Sequence, residues 1–292
     1  MVGKGIGALA ITKVNNKSDY TKSSDIVSFR KLVYSWYKQN NRFHLPWRTD
    51  YNPYDIFISE VMLQQTQVDR VIDKFIAFRK LFPDFKTLAY SDLPQLLAAW
   101  QGLGYNRRAL SLRKAARIIV DEYNGTLPDT PEHLQALPGI GPATARSITA
   151  FAFNKPVVFL ETNIRTVIIH HFCDSEQPVP DSLLSEIAAS ILDKKDPRRW
   201  YSALMDYGTM LKKTVGNLSR KSTNYKKQSA FKGSRRELRG KVLKQLLETP
   251  QLSAVKLSEY LSQTSETLLP VLEQLTRETI VKYTNGRYTI GK

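Results

Sequence analysis

Residues 134–163 read LQALPGIGPATARSITAFAFNKPVVFLETN. Within them, Leu137-Pro138-Gly139-Ile140-Gly141 lies between two helical patterns. Thr130-Pro131 upstream has the form of an N-cap followed by proline at the first helical position. Downstream, Ala145, Ile148 and Phe151 recur at helical spacing. The stretch is therefore two helices joined by a turn whose glycines, Gly139 and Gly141, stand two apart. Without side chains, their amides at the start of the second helix leave room for an anion, which the helix N-terminus favours. Such a turn can hold one nucleic-acid phosphate without reading a base. The same G-x-G spacing also serves simply to close a tight helix–helix turn.

The wider chain narrows the choice. Its 292 residues are 42% hydrophobic, enough for a packed core, and its length suits about two domains. The formal net charge of +16 suits a polyanion. No apolar run approaches the ~20 residues that cross a bilayer, so no membrane partner is expected. Nor does the N-terminus have the form of a signal peptide, and the expected location is cytoplasmic. One cysteine, Cys173, cannot form an intramolecular disulfide or a cysteine-only metal cluster.

Residues 1–24 are polar and are expected to be a mobile N-terminus. Helical patterns then follow one another. The first, from Asp25, carries Ile26, Phe29, Leu32, Val33, Trp36 and Tyr37, and leads to His44-Leu45-Pro46-Trp47-Arg48, a loop mixing aromatic and basic groups. Asn52-Pro53 opens a helix with Tyr54, Phe57, Ile58, Val61 and Met62 on a broad apolar face. Glu60 interrupts that face. It is either solvated or partly buried, and burial would keep its carboxyl able to donate a proton. Gln64-Gln65-Thr66-Gln67 follows, suited to base edges or to plain surface. Further helices are expected over 71–81, 92–100 and 107–123, with the glycine-rich, aromatic and basic connector Gly102-Leu103-Gly104-Tyr105-Asn106-Arg107-Arg108 between the last two. There a tyrosine could wedge into a duplex, with the arginines on phosphates. Val157–Leu160 is a short apolar connection, and helices are expected after Asn163, over 182–192 and over 198–211. His170 and His171 point about 100° apart on a helix and make poor joint metal ligands, so no metal is expected there.

In order along the chain, PYDIFISEVMLQQTQV, WQGLGYNRRAL, LPGIGPATARSI, LETNIRTV and ALMDYG resemble the helix-hairpin-helix (HhH-GPD) DNA glycosylase superfamily, and within it the MutY-type adenine glycosylases. The resemblance runs from about Leu45 to Gly208. It implies an all-α, two-lobed fold: a six-helix barrel lobe with the helix-hairpin-helix over 52–154, and a second lobe built from 25–51 plus 155–212. It also implies a monomer acting on double-stranded DNA that contains a mismatch or damaged base, with the target nucleotide flipped out. Glu60 matches the catalytic glutamate, and Glu161 stands in the place of the catalytic aspartate. Gln64, Gln65 and Tyr105 match residues that enter the duplex near the opposite base. Leu45, Trp47, Arg48, Asn163 and Asp206 match the base pocket, and Gly139 and Gly141 the phosphate-holding hairpin. Relatives that also cleave the strand use a lysine just after the hairpin; Ala143 stands there, behind Pro142, so base removal by water is expected.

Three departures stand out. Glu161 is one methylene longer than the aspartate. The iron–sulfur cluster of the family is expected to be absent, because Lys212 and Lys213 stand where its first cysteine belongs. The basic stretch from there to Lys241, with 213–235 as a basic linker, is expected to take over contact with DNA or else to be a solvated charge run, and Arg107 is expected on DNA as well. The 8-oxoguanine-reading C-terminal domain is expected to be replaced. Residues 236–292 have three helical patterns and a hairpin around Asn285-Gly286, the order of a small winged-helix-like domain. The expected activity is monofunctional removal of adenine from a mismatch. The alternatives are a glycosylase for thymine, uracil or a damaged purine, and a lesion-sensing DNA-binding protein with little catalysis.

Overall fold

In a computed structural model, the structure describes residues 23–173 and 177–291. The expected mobile N-terminus falls almost wholly outside them. In chain order the helices are α1 (Ser23–Asn40), α2 (Pro53–Leu63), α3 (Val68–Leu81), α4 (Phe85–Ala89), α5 (Leu93–Trp100), α6 (Arg107–Glu122) and α7 (Pro131–Gln135). After the hairpin come α8 (Pro142–Phe153), α9 (Thr162–Phe172), α10 (Asp181–Ile191) and α11 (Pro197–Thr214). The C-terminal part holds α12 (Arg235–Glu248), α13 (Ala254–Leu261), α14 (Ser265–Arg277) and strands β1 (Val281–Thr284) and β2 (Arg287–Ile290). Single 3-10 turns occupy Pro46–Arg48 and Leu218–Lys221. The chain is mostly helical, as its periodicities predict. The apolar run Val157–Leu160 is irregular, with Phe159 buried.

The chain divides into two units, residues 1–45 with 142–227, and residues 46–141 with 228–292. The divisions at 45, 141 and 227 fall elsewhere than the sequence-based boundaries. Helix α8 groups with the first unit because it packs on α11, where Arg198 donates to the carbonyls of Phe151 and Ala152 at its C-terminal end. Residues 228–292 group with the second unit, where α12 packs on α5.

The first unit is organised by aromatic packing. Phe29, Val33 and Tyr37 recur every fourth residue and form the buried stripe of α1. Phe29 meets Phe172 and Trp200 edge-on, at centroid distances of 4.9 and 5.9 Å. Where α9 crosses α11, Gly208 admits the approach: a Cβ there would lie 2.6 Å from the Asn163 carbonyl oxygen. Arg30 closes the end of α10 by donating to the Ile191 and Leu192 carbonyls, a cation placed where a helix C-terminus favours it.

In the second unit α2 is the central helix. Every residue from Tyr54 to Met62 is buried except Glu60, which is half-buried. Asn52 caps the helix through the Tyr54 amide, and Pro53 follows at its first position. Thr130 likewise caps α7. The short helix α4 lies in a stretch the periodicity passed over, because five residues are too few to show a period. Its start is nevertheless marked by Asp84, whose carboxylate accepts from the Thr87 amide. In the C-terminal part Thr264 caps α14. The two strands pair antiparallel, with Val281 opposite Ile290, around Asn285 and Gly286, both at positive φ as a type I′ turn requires.

Candidate active site

Glu60 sits on the one half-buried position of an otherwise buried stretch of α2. A carboxyl there meets apolar neighbours on the same helix and yet stays reachable. Just beyond it the helix ends, and the run Gln64–Thr66 takes a loop conformation in which exposed Gln65 has φ +54°. The second loop, Leu103–Asn106, also carries a non-glycine residue at positive φ, Tyr105 at +48°. Such backbone in ordinary residues costs about 1 kcal/mol or more and persists only where surroundings enforce it.

The enforcing group is Arg108. One of its terminal nitrogens donates to the carbonyls of Val61, Met62 and Gln64 at 2.6–2.9 Å. The other donates to the Thr66 hydroxyl and to the carbonyls of Leu103 and Gly104 at 3.0–3.1 Å. One half-buried cation thus closes the C-terminal end of α2 and ties both loops together. Burial lowers its pKa to about 10, which still leaves it charged at neutral pH. This corrects the expectation that both arginines of the pair reach phosphates. Arg107 is exposed, whereas the terminal nitrogens of Arg108 are spent on the protein. Both arginines open α6, so the sequence by itself did not tell them apart.

The hairpin glycines differ in kind. Gly139 has φ +81°, and a Cβ on it would lie 2.7 Å from Ser111 Cβ, so glycine is required twice over. Around Gly141 nothing lies within 4 Å of where a Cβ would stand, which leaves open space beside the start of α8. The Gln64 side-chain amide donates to the Gly139 carbonyl, joining the glutamine run to the hairpin. Ala143 is exposed in the first turn of α8.

In the first unit Glu161 is the N-cap of α9. Its Oε1 accepts from the amides of Asn163 at 2.6 Å and Ile164 at 2.9 Å. Burial raises its pKa above the usual carboxylate range, while the two amides and the Lys212 and Arg165 charges pull the other way. Asn163 donates weakly from Nδ2 towards Glu161 Oε2 and Met205 Sδ, and its buried Oδ1 has no hydrogen-bond partner. Lys212 and Lys213 lie in the last turn of α11.

The expected base-pocket residues are less uniform. Asp206 is buried and accepts from the Arg42 side chain at 2.7 Å and the Arg42 amide at 2.9 Å, so part of its capacity goes to holding the turn after α1. Leu45 and Arg48 are buried, and buried Trp47 packs edge-on against Phe75. His171 bonds to the Tyr207 hydroxyl at 3.0 Å and stacks on its ring. Among the described residues no group of three or more His, Cys, Asp or Glu side chains is arranged for a metal, and no helix is long and apolar enough to cross a membrane.

Residues 58–191 match the model of the HhH-GPD superfamily base excision DNA repair protein. The matched stretch makes up a little under half of the chain. It contains Glu60, both loops, the hairpin and Glu161. The chain is 37% identical over 184 residues to the adenine DNA glycosylase of Buchnera aphidicola subsp. Baizongia pistaciae, covering 63% of this chain and 52% of that one. It is 33% identical over 178 residues to the adenine DNA glycosylase of Mycobacterium tuberculosis H37Rv, covering 60% and 58%. The chain thus spans about half the length of these relatives. Among solved structures, it resembles a thermostable thymine-DNA glycosylase with a TM-score of 0.56 at 22% identity, covering 63% of this chain and 86% of that one. It also resembles endonuclease III in a non-covalent DNA complex, with a TM-score of 0.54 at 20% identity, covering 63% and 84%. These two likenesses speak to the HhH-GPD fold.

Proposed function

We propose that the chain is a monofunctional DNA glycosylase of base excision repair. It acts as a monomer on double-stranded DNA and removes adenine from a mismatch opposite 8-oxoguanine or guanine. The observation that carries this reading is Glu60, the one half-buried position between buried neighbours on α2. The names of the relatives, adenine DNA glycosylases, supply the base.

In this reading the protonated Glu60 carboxyl gives its proton to a nitrogen of the flipped adenine. The C1′–N bond breaks with its electron pair leaving on the base. The sugar carries positive charge in an oxocarbenium-like state, and water then adds at C1′, losing its proton to the carboxylate that Glu60 has become. Ionised Glu161 stabilises the sugar charge. Two carboxyls in unlike surroundings, one acid and one base, are the logic of glycoside hydrolysis. Asn163, Asp206, Leu45, Trp47 and Arg48 frame the base. Gly139 and Gly141 hold a phosphate, Gln64, Gln65 and Tyr105 enter the duplex, and Arg107, Lys212 and Lys213 meet the backbone. Ala143 offers no amine, so no Schiff base forms and the strand is left intact. No iron–sulfur cluster takes part: a single cysteine cannot supply four thiolates, and Cys173 is buried with its thiol pushed up to about 11.

A second reading, a lesion sensor with little catalysis, draws on Glu161. Its carboxylate already caps α9, and burial disfavours its ionised form. The test is a single-turnover assay on duplexes with adenine opposite 8-oxoguanine, guanine and cytosine, and with uracil, thymine and hypoxanthine mismatches, each with and without alkali. Strand breakage only after alkali, at adenine opposite 8-oxoguanine or guanine, is the expected result. Release of another base would change the substrate, and tight binding without release from any duplex would sink the enzyme.

A further inference from the structure

Tyr105 is held from the C-terminal part of its own unit. Its hydroxyl accepts from Arg236 of α12 and from the Gln228 side-chain amide. The Arg236 guanidinium stands 5.0 Å from the ring centroid and that of Arg108 5.5 Å. The second terminal nitrogen of Arg236 donates to the carbonyls of Ser229 and Ala230, so one side chain both folds the 228–236 segment and ties it to Tyr105. The two arginines divide the work. Arg108 grips the backbone of the Tyr105 loop, whereas Arg236 and Gln228 grip only its hydroxyl.

We propose that Arg236 and Gln228 are positioning residues for Tyr105, and that through them the 228–292 segment governs which base is accepted opposite the target. The inference rests on the proposed function, because it takes Tyr105 to enter the duplex. A tyrosine wedge is sequence-tolerant by itself, since every base has a face to stack on. It discriminates only if its ring is kept at one depth and tilt. Charge-assisted bonds to the hydroxyl, at the far end of the ring, set both. Exposed Lys232 and Phe231 in the same segment are available to the strand beside the wedge.

The test is a double-mutant cycle on the full chain with Y105F and R236M. Y105F keeps the ring and removes only the acceptor. For each variant, dissociation constants are measured on duplexes with an abasic-site analogue opposite 8-oxoguanine, guanine and cytosine, and hydrogen exchange of residues 101–106 is followed in the free protein. Each single variant is expected to lower discrimination between opposite bases on the order of tenfold, and the double variant to lose no more than either alone. Exchange over 101–106 should quicken in R236M. Additive losses, or a loss equal on all duplexes, would overturn the proposal and leave Arg236 as an ordinary phosphate contact or a folding residue. If the wild type neither releases a base nor distinguishes the duplexes, the proposed function fails. The exchange data would then still report whether the hydroxyl link exists.

Discussion

The surroundings of Glu60 and those of Glu161 are built with opposite charge. Near Glu60, one half-buried cation, Arg108, serves backbone carbonyls at the C-terminal end of α2 and in two loops. In the other unit, carboxylates serve donors. Glu161 caps the amides of α9, Asp206 takes Arg42, and Asp181 takes Arg165 and the Ser222 hydroxyl. Each choice matches the helix end concerned, since carbonyls gather a cation and amides an anion. The difference has a consequence for pH. Arg108, even lowered to about 10, stays charged in acid, whereas a carboxylate is protonated there, so acid should act on the Asp181 pair and spare the Arg108 network.

The largest effect expected is at Glu60. E60Q should lower single-turnover base release by about a thousandfold, the scale of a lost general acid, while leaving the midpoint of denaturation nearly unchanged. Equal release by E60Q would remove Glu60 from the chemistry. Next in size, R108M leaves five carbonyls and one hydroxyl without their donor. It should cost about 3 kcal/mol in urea denaturation, by the same amount at pH 5 and pH 8. A cost that varied over this range would undo the contrast between the two regions.

Asp181 supplies the titrating counterpart. Arg165, Ser222 and Asn224 hold its carboxyl down to about 2. The depressed value means that its contribution is fully present above the usual carboxylate range and is lost as pH falls through about 2. D181N should therefore cost about 2 kcal/mol at pH 7, and the gap from wild type should close between pH 4 and pH 2. Thermal unfolding across that window checks it.

The smallest stability effect is at Glu161, and it carries the sharpest sign. Burial raises its pKa, so ionisation opposes folding as pH climbs through and above the usual carboxylate range. With Glu161 in its proposed role, base release needs the ionised form, and its ascending pH limb should lie above that range. E161D, with a shorter side chain able to cap the helix from the same position, should keep the cap, whereas E161A should lose about 1 kcal/mol of stability. A pH–rate profile with the same ascending limb in wild type and E161D would show that another group sets it.

Much of the fold was legible because its signals are local. The stripe of Phe29, Val33 and Tyr37, the caps Asn52 and Thr130, and the Asn285-Gly286 turn each need only a few neighbouring residues. Glu60 was legible as a break in an apolar face, but the sequence left open whether it was solvated or half-buried. That depends on what packs around α2. Arg108, Asp206 and Tyr105 were read as groups facing DNA or its base, and each has polar atoms engaged inside its own unit. By itself the sequence determined most of the helices, caps such as Asn52 and Thr130, and the order of the motifs, since periodicity and capping act within one or two turns of chain. Only the tertiary structure decided which carbonyls Arg108 closes, that α8 goes with α11, and that Arg236 finds Tyr105 from 131 residues away. A polar side chain must satisfy whatever donor or acceptor folding brings beside it, and that partner has no fixed spacing in the sequence.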